Sequence, residues 1–225
     1  MYSTWGSSSG LRAGLLARLF VLSFGRAKPL PHIGVRDFGR SGHNSLVRHY
    51  ERRLPHWDSV GQPVFVTFRL LGSLPESRVF LKENLSAGEQ FAAMDRLLDR
   101  ARSGPRYLAE VPVARMVAQA IRDGSEKLKR YDLHAFVVMP NHVHLLVTPH
   151  LANARWLGPL KGFTGASANR ILHREGPFWQ DESYDHLVRS AEEFRRIAGY
   201  IEHNPVAAGL VNATEEYPWS SAAGS

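Results

Sequence analysis

Cysteine is absent from this sequence of 225 residues. The chain therefore has no disulfide bonds, no thiolate metal ligands and no cysteine nucleophile, and a metal site would have to use histidine, carboxylate or amide groups. Long apolar runs are also missing. Arg12 and Arg18 lie within the apolar stretch from Leu11 to Phe24. The uninterrupted run that remains, Leu19 to Phe24, is shorter than a usual signal-peptide core or a membrane span. We expect a cytoplasmic protein that does not associate with a membrane.

Charge and composition indicate a globular protein with a basic surface. Hydrophobic residues make up 44% of the chain and charged residues 22%, which leaves enough apolar material for a buried core. Lysine and arginine number 28 against 21 aspartate and glutamate residues, a formal net charge of +7. A basic surface suits a polyanion such as nucleic acid. Many small proteins are basic for other reasons, so charge alone leaves nucleic-acid binding undecided.

The chain is predicted to contain one domain after a tail. Residues 1–45 are rich in glycine, serine and arginine and show no sustained periodicity, so they are predicted to form a poorly ordered N-terminal tail. The remaining residues, 46–225, have the length of one ordinary domain.

Hydrophobic periodicity predicts strands interleaved with helices. Alternating or β-branched runs predict strands at Val64–Leu70, Tyr131–Met139, Val143–Val147 and His186–Arg189. Apolar residues at helical spacing predict helices over residues 86–101, 113–121 and 156–171, and a final helix that begins at Ser190 and is halted by Pro205. This mixture favours an α+β fold with a single antiparallel sheet and helices packed on a face of it. A ferredoxin-like arrangement is its simplest form.

Two histidines at the start of one predicted strand are candidate metal ligands. His142 and His144 are two residues apart, and side chains at that spacing project from the same face of a strand. Imidazole is a good ligand for divalent metals. Two ligands alone do not define a site, and the same spacing fits two surface histidines on an exposed sheet face.

The final predicted helix carries a tyrosine and an asparagine on one flank of its apolar stripe. Successive helical residues are rotated by about 100°, so Tyr200 and Asn204 lie about 40° apart. They can meet a metal held by the histidine pair, with Asn204 as an oxygen ligand and Tyr200 as the attacking group. The alternative for Tyr200 alone is an amphipathic tyrosine at the margin of the core, with a buried ring and a solvated hydroxyl.

Three segments resemble the REP-associated tyrosine transposases, which belong to the HUH single-tyrosine group. They are residues 138–147 (VMPNHVHLLV), 178–186 (FWQDESYDH) and 200–211 (YIEHNPVAAGLV). Shorter matches at 54–57 (LPHW) and 160–164 (LKGFT) extend the resemblance over residues 52–221, in the expected order and spacing.

The resemblance implies an HUH endonuclease fold in which His142 and His144 are the metal ligands, Tyr200 is the nucleophile and Asn204 is the third protein ligand. It also implies Mg²⁺ or Mn²⁺, whereas the histidine pair by itself suits Zn²⁺ or Ni²⁺ at least as well. The implied reaction cleaves and transfers single-stranded DNA beside a REP-type hairpin, through a 5′-phosphotyrosine link that leaves a free 3′-hydroxyl. A monomer or a weak homodimer is expected.

Candidate DNA contacts lie on the predicted helix after the histidines and in the segment that follows it: Lys161, Arg170, Arg174, Trp179, Gln180 and Tyr184. The basic side chains can track a phosphate backbone, and the aromatic rings can stack on unpaired bases. A solvated helix face explains the basic residues equally well, and a tryptophan after Gly176 and Pro177 also fits a core anchor.

Two other functions stay open. A non-catalytic nucleic-acid-binding regulator would keep the fold and the basic surface, but it would not need His142, His144, Tyr200 and Asn204 together. A replication initiator or relaxase would use the same metal and tyrosine, although we expect a helicase partner beside such an activity. Formation of a covalent protein–DNA adduct separates the regulator from the transposase.

Overall fold

The computed structural model describes residues 48–51, 55–58, 60–74, 93, 95–98 and 104–223. The strands are β1 (Arg48–Glu51), β2 (Pro55–Asp58), β3 (Val64–Arg69), β4 (Tyr131–Val138), β5 (His142–Pro149) and β6 (Tyr184–Leu187). The longer helices are α1 (Val111–Glu126), α2 (Asn153–Ile171) and α3 (Ala191–Ala207). The tail at 1–45 and most of the helix predicted over 86–101 lie outside the described residues, so the division into tail and domain stays a prediction.

Four strands form one antiparallel sheet in the order β4-β5-β3-β6, and β1 pairs with β2 in a separate ribbon. In chain order the sheet and its helices run β3, α1, β4, β5, α2 and β6, which is the ferredoxin-like succession. The predicted α+β class with an antiparallel sheet is confirmed. Strand β6 begins at Tyr184, two residues before the predicted strand, because Tyr184 already pairs with Thr67 of β3.

Helices cover both faces of the sheet, whereas the sequence predicted helices on one face. Because side chains alternate along each strand, both faces of the sheet present apolar residues. One face packs against α1 and α2 through Val64, Val66, Phe68, Val143, Leu145 and Val147. The opposite face carries Phe65 and Leu146, which pack with Ile197 and Ile201 of α3. His144 precedes Leu146 by two residues, so the histidines share the face that α3 covers. Within the part of the chain described above, no helix is long and apolar enough to cross a membrane.

Helix α3 begins as predicted but ends later. The Ser190 side chain caps its N-terminus. Pro205 lies inside the last turn and does not halt the helix at once, because it removes only one backbone donor and the chain continues helically to Ala207. The end is set by Gly209, whose φ of +72° suits glycine. The N–H of Leu210 then donates to the Pro205 carbonyl and closes the turn.

Gly124 of α1 is required by the close approach of Tyr131. The Tyr131 hydroxyl donates a hydrogen bond to the Ile121 carbonyl at 2.7 Å, and a β-carbon at Gly124 would overlap the hydroxyl and its ring. We expect Gly124→Ala to destabilise the fold by about 1–3 kcal/mol. Gly158→Ala in α2 is the control, because nothing lies within 4 Å of its added β-carbon. Urea unfolding of both variants tests this prediction, and equal midpoints would contradict it.

Candidate metal centre and nucleophile

His142 and His144 project from the same face of β5, as their spacing predicts. Both imidazoles are fully buried, and their Nε2 atoms lie 3.0 Å apart. The alternative of two histidines on an exposed sheet face is therefore wrong. Two ring nitrogens this close together can bind the same metal ion.

A hydrogen-bond partner orients each ring. His142 Nδ1 lies 2.7 Å from Oδ1 of Asn141, and the nitrogen of that amide donates to the Leu98 carbonyl at 2.9 Å. Because the amide oxygen can only accept, His142 Nδ1 carries the proton and Nε2 presents its lone pair. On the other ring, His144 Nδ1 lies 2.7 Å from the Thr67 hydroxyl, which leaves Nε2 facing the same point. Such outer partners hold metal-binding histidines in the required orientation and tautomer.

Burial keeps the His142 ring neutral. Removal from solvent, with a smaller contribution from His144, lowers the pKa of His142 to about 3, and Asp95 opposes this effect. The neutral imidazole is the form that binds metal ions. This ring therefore does not have to release a proton to bind a cation at neutral pH.

Asp95 completes a cluster that the sequence did not predict. It is 2% exposed and lies among the helical residues 95–98. Its Oδ1 atom is 3.1 Å from His144 Nε2 and 3.6 Å from His142 Nε2. Burial is the largest single influence and raises the pKa of this carboxyl group, but His144, His142 and Asn204 together outweigh it and leave the pKa below its ordinary value. One ligand atom from each of the three residues lies within 4.8 Å of the others, close enough for one ion.

Asn204 reaches the same cluster from α3. Its side chain is 2% exposed and donates a hydrogen bond to the Asp95 carboxylate. Its Oδ1 atom is buried with no hydrogen-bond partner among the described residues. Buried polar atoms in folded proteins nearly always have a partner, and a divalent cation would supply one here. The two imidazoles, the carboxylate and the amide oxygen form a donor set that fits a divalent metal.

Tyr200 lies beside the histidine pair, one helical turn before Asn204. Its ring centroid is 5.8 Å from that of His144 and 6.4 Å from that of Phe65, both in edge-on arrangements. The residue is half-buried. Helix α3 and strand β5 thus bring a phenol, an amide and two imidazoles to one place.

Comparison with known proteins identifies one curated relative. No protein-family model matches the chain. The chain is similar to the protein named "Putative REP-associated tyrosine transposase" of Haemophilus influenzae, with 26% identity over 103 residues that cover 40% of this chain. The match spans 58% of the relative's length, and it confirms the resemblance seen in the sequence.

A solved structure of a REP-associated tyrosine transposase bound to a REP hairpin is also similar to this chain. The TM-score is 0.49 and the sequence identity is 20%, over 76% of this chain and 82% of the other.

Two of the predicted DNA contacts, Lys161 and Arg170, lie on α2, which covers the other face of the sheet from the histidines, and Arg174 follows the end of that helix. Lys161 Nζ donates to the carbonyl groups of Gln180 and Asp181 at 2.9 and 2.7 Å, and burial lowers its pKa. These hydrogen bonds connect α2 to the backbone of Gln180 and Asp181, and the Gln180 side chain is half-buried. The Arg174 guanidinium lies over the ring of Tyr107, 4.7 Å from its centroid. Arg170 is exposed at the end of the helix.

The two aromatic candidates are core residues. Trp179 is 8% exposed, and its Nε1 donates to the Thr164 hydroxyl at 3.0 Å. Tyr184 is 4% exposed and packs edge-on against Phe65 at 6.3 Å between centroids. Burial raises the pKa of Tyr184. Protein atoms cover both rings. The core-anchor alternative therefore fits Trp179 better than stacking on DNA bases, and Tyr184 is buried in the same way.

Asn141 gives a test of how the histidines are oriented. We expect Asn141→Ala to weaken the binding of Mn²⁺ about 10- to 100-fold, because His142 would lose the acceptor that sets its tautomer. Asn169→Ala is the matched control, since the Asn169 amide also donates to a backbone carbonyl, that of Gly176, at 2.7 Å. Calorimetric titration with Mn²⁺ measures both variants, and an unchanged affinity in Asn141→Ala would show that the amide does not orient the ring.

Proposed function

We propose that this protein is a metal-dependent endonuclease and strand transferase for single-stranded DNA, a transposase of the HUH single-tyrosine type. The observation that supports the proposal most directly is that Tyr200 and Asn204 lie close to His142 and His144. The ring centroids of Tyr200 and His144 are 5.8 Å apart. A protein that only binds nucleic acid has no need for these four side chains in one place. The name of the curated relative supports the same function.

In the proposed reaction, the Tyr200 oxygen attacks a phosphorus atom of the DNA strand. The bond from phosphorus to the 3′-oxygen breaks, and that oxygen leaves with a proton in place of the one that the phenol gives up. The phosphate stays on the enzyme as a 5′-phosphotyrosine. Because this link conserves the energy of the phosphodiester, another 3′-hydroxyl can reverse the step, and strand transfer needs no ATP.

A divalent cation, proposed as Mg²⁺ or Mn²⁺, would be held by His142 and His144 through Nε2 and by Asn204 through Oδ1. We add Asp95 to this set because its Oδ1 lies 3.1 Å from His144 Nε2. When bound, the ion polarises the phosphate and favours the phenolate of a tyrosine whose ordinary pKa is about 10. A carboxylate and an amide oxygen make the donor set more suitable for Mg²⁺ or Mn²⁺ than the imidazole pair alone.

The proposed substrate is single-stranded DNA beside a REP-type hairpin, because the relative is named for its association with REP sequences. The formal charge of +7 supports a DNA partner. Arg170 and Gln180 are retained as proposed DNA contacts, whereas Lys161 and Trp179 are given structural roles. A monomeric state and a cytoplasmic location stay predictions.

Incubation with hairpin oligonucleotides tests the function directly. Labelled single strands with a REP-type hairpin and flanking single-stranded DNA are mixed with the protein and Mg²⁺ or Mn²⁺, and the products are separated on a denaturing gel. We expect a covalent protein–DNA adduct that EDTA prevents. Binding of the hairpin with no adduct under any metal would favour the non-catalytic regulator.

A further inference from the structure

Arg69 is the last residue of β3 and lies on the sheet face that carries the histidines. Phe65 and Thr67 both contact His144, by ring stacking at 5.6 Å between centroids and by a hydrogen bond of 2.7 Å. Because side chains alternate along a strand, Arg69 projects from the same face as these two residues. It also stands opposite His142 in the register of β3 and β5. Directly opposite residues have β-carbons about 4.5–5.5 Å apart, so the two side chains are neighbours.

The Arg69 guanidinium has more donors than its partners among the described residues use. Arginine carries five N–H donors and stays charged. Among the described residues the guanidinium donates one hydrogen bond, to the Ser73 hydroxyl at 3.3 Å. The side chain is half-buried, and burial lowers its pKa against the opposing charge of Glu182. A half-buried cation with spare, coplanar donors suits a bidentate anion such as a phosphate.

Hydrogen bonds on both sides hold the backbone at this position. The Arg69 carbonyl accepts from the Gln180 N–H at 2.8 Å, and the next residue, Leu70, donates to the Asn141 carbonyl at 2.9 Å. A side chain on a rigid strand end is better placed for precise contacts than one on a free loop.

Tyr200 and Arg69 flank the histidine pair at opposite ends. Tyr200 contacts Phe65 and His144, whereas Arg69 pairs with His142. A phosphate bound by a metal ion at the histidines would therefore lie between the phenol and the guanidinium.

We infer that Arg69 is a further catalytic residue, which binds the non-bridging oxygens of the phosphate that Tyr200 attacks. This inference rests on the proposed function. The guanidinium neither gains nor loses a proton. Two of its N–H donors hold the non-bridging oxygens while phosphorus accepts the tyrosine oxygen and releases the 3′-oxygen. The positive charge of the guanidinium offsets the negative charge on the phosphate.

Single-turnover rates of adduct formation test the inference, with Arg69→Gln, Arg69→Lys and the control Arg115→Gln. Arg115 is exposed on α1, so its replacement changes the net charge equally at a distance from the site. We expect Arg69→Gln to slow adduct formation about 100-fold, as the loss of one transition-state donor does in other enzymes. Arg69→Lys should recover only part of the rate, because lysine lacks the planar pair of donors. Mn²⁺ affinity should stay within about twofold in all three variants, since Arg69 is not a metal ligand.

A methylphosphonate at the mapped cleavage position separates phosphate binding from general structural effects. This linkage lacks the negative charge of the non-bridging oxygens, so the penalty of Arg69→Gln relative to wild type should shrink to less than about tenfold. A wild-type rate in Arg69→Gln, or an equal penalty on both linkages, would overturn the role of Arg69 alone. A wild-type protein that forms no adduct with any hairpin would overturn the proposed function, and the inference with it.

Discussion

Replacing Tyr200 with phenylalanine is expected to abolish covalent attachment to DNA while hairpin affinity stays within about twofold. Only the hydroxyl is lost, and the ring keeps its edge-on packing against Phe65 and His144. Without the attacking oxygen, adduct formation should fall by about 10⁴-fold or more, as removal of a nucleophile does in other enzymes. A denaturing gel with a labelled hairpin oligonucleotide measures the adduct, and fluorescence anisotropy measures binding.

Tyr184→Phe is the matched control for this experiment. Tyr184 also packs edge-on against Phe65, at 6.3 Å between centroids, but it is buried in the core. We expect this variant to form the adduct at nearly the wild-type rate. Undiminished adduct in Tyr200→Phe would remove Tyr200 from the role of nucleophile, whatever the result for Tyr184.

The histidine pair and the tyrosine helix could be predicted because both depend on local periodicity. A spacing of two in a strand places His142 and His144 on one face, and a spacing of four in a helix places Tyr200 and Asn204 on one flank. That the two elements meet is a matter of topology, which periodicity does not contain. The resemblance to a known family supplied that step, and the structure has the four residues together.

Asp95 was missed although the sequence carries a signal for it. It follows Phe91 by four residues and precedes Leu98 by three, so it falls on the apolar stripe of the helix predicted there. An ionisable residue on such a stripe needs a partner when it is buried. The partners, His142 and His144, are more than 45 residues away along the chain, so local patterns cannot identify them.

The DNA contacts were harder to predict for a related reason. Helical periodicity shows that Lys161 and Arg170 are not part of the apolar stripe, but it does not show which face of the sheet the helix covers. In the structure α2 packs on the face away from the histidines. Lys161 instead bonds to two backbone carbonyls. A buried Trp179 likewise satisfies the same sequence pattern as an exposed one, so burial had to come from the structure.

The metal centre gives the second large expected effect. We expect His142→Ala or His144→Ala to weaken the binding of Mn²⁺ more than about 100-fold, because even the hydrogen-bond partners of metal ligands contribute about 10- to 100-fold. Adduct formation should be lost with the metal. His150→Ala is the control, since His150 also lies near a carboxylate, 3.1 Å from Asp132, but on the exposed surface. Calorimetric titration with Mn²⁺ and the adduct gel measure the two effects independently.

Asp95→Asn tests whether the carboxylate acts as a ligand or only packs against the histidines. The substitution keeps the shape of the side chain and removes its charge, so a ligand role predicts weaker Mn²⁺ binding. Without metal, the variant should be less stable than the wild type near neutral pH, because a carboxyl group whose pKa lies below its ordinary value stabilises the fold in its ionised form. Weaker Mn²⁺ binding by variant protein that is still folded would therefore assign Asp95 to the metal. Unchanged Mn²⁺ affinity in Asp95→Asn would leave Asn204 as the third protein ligand of the metal. Unchanged metal-dependent cleavage in both histidine variants would contradict the metal assignment itself.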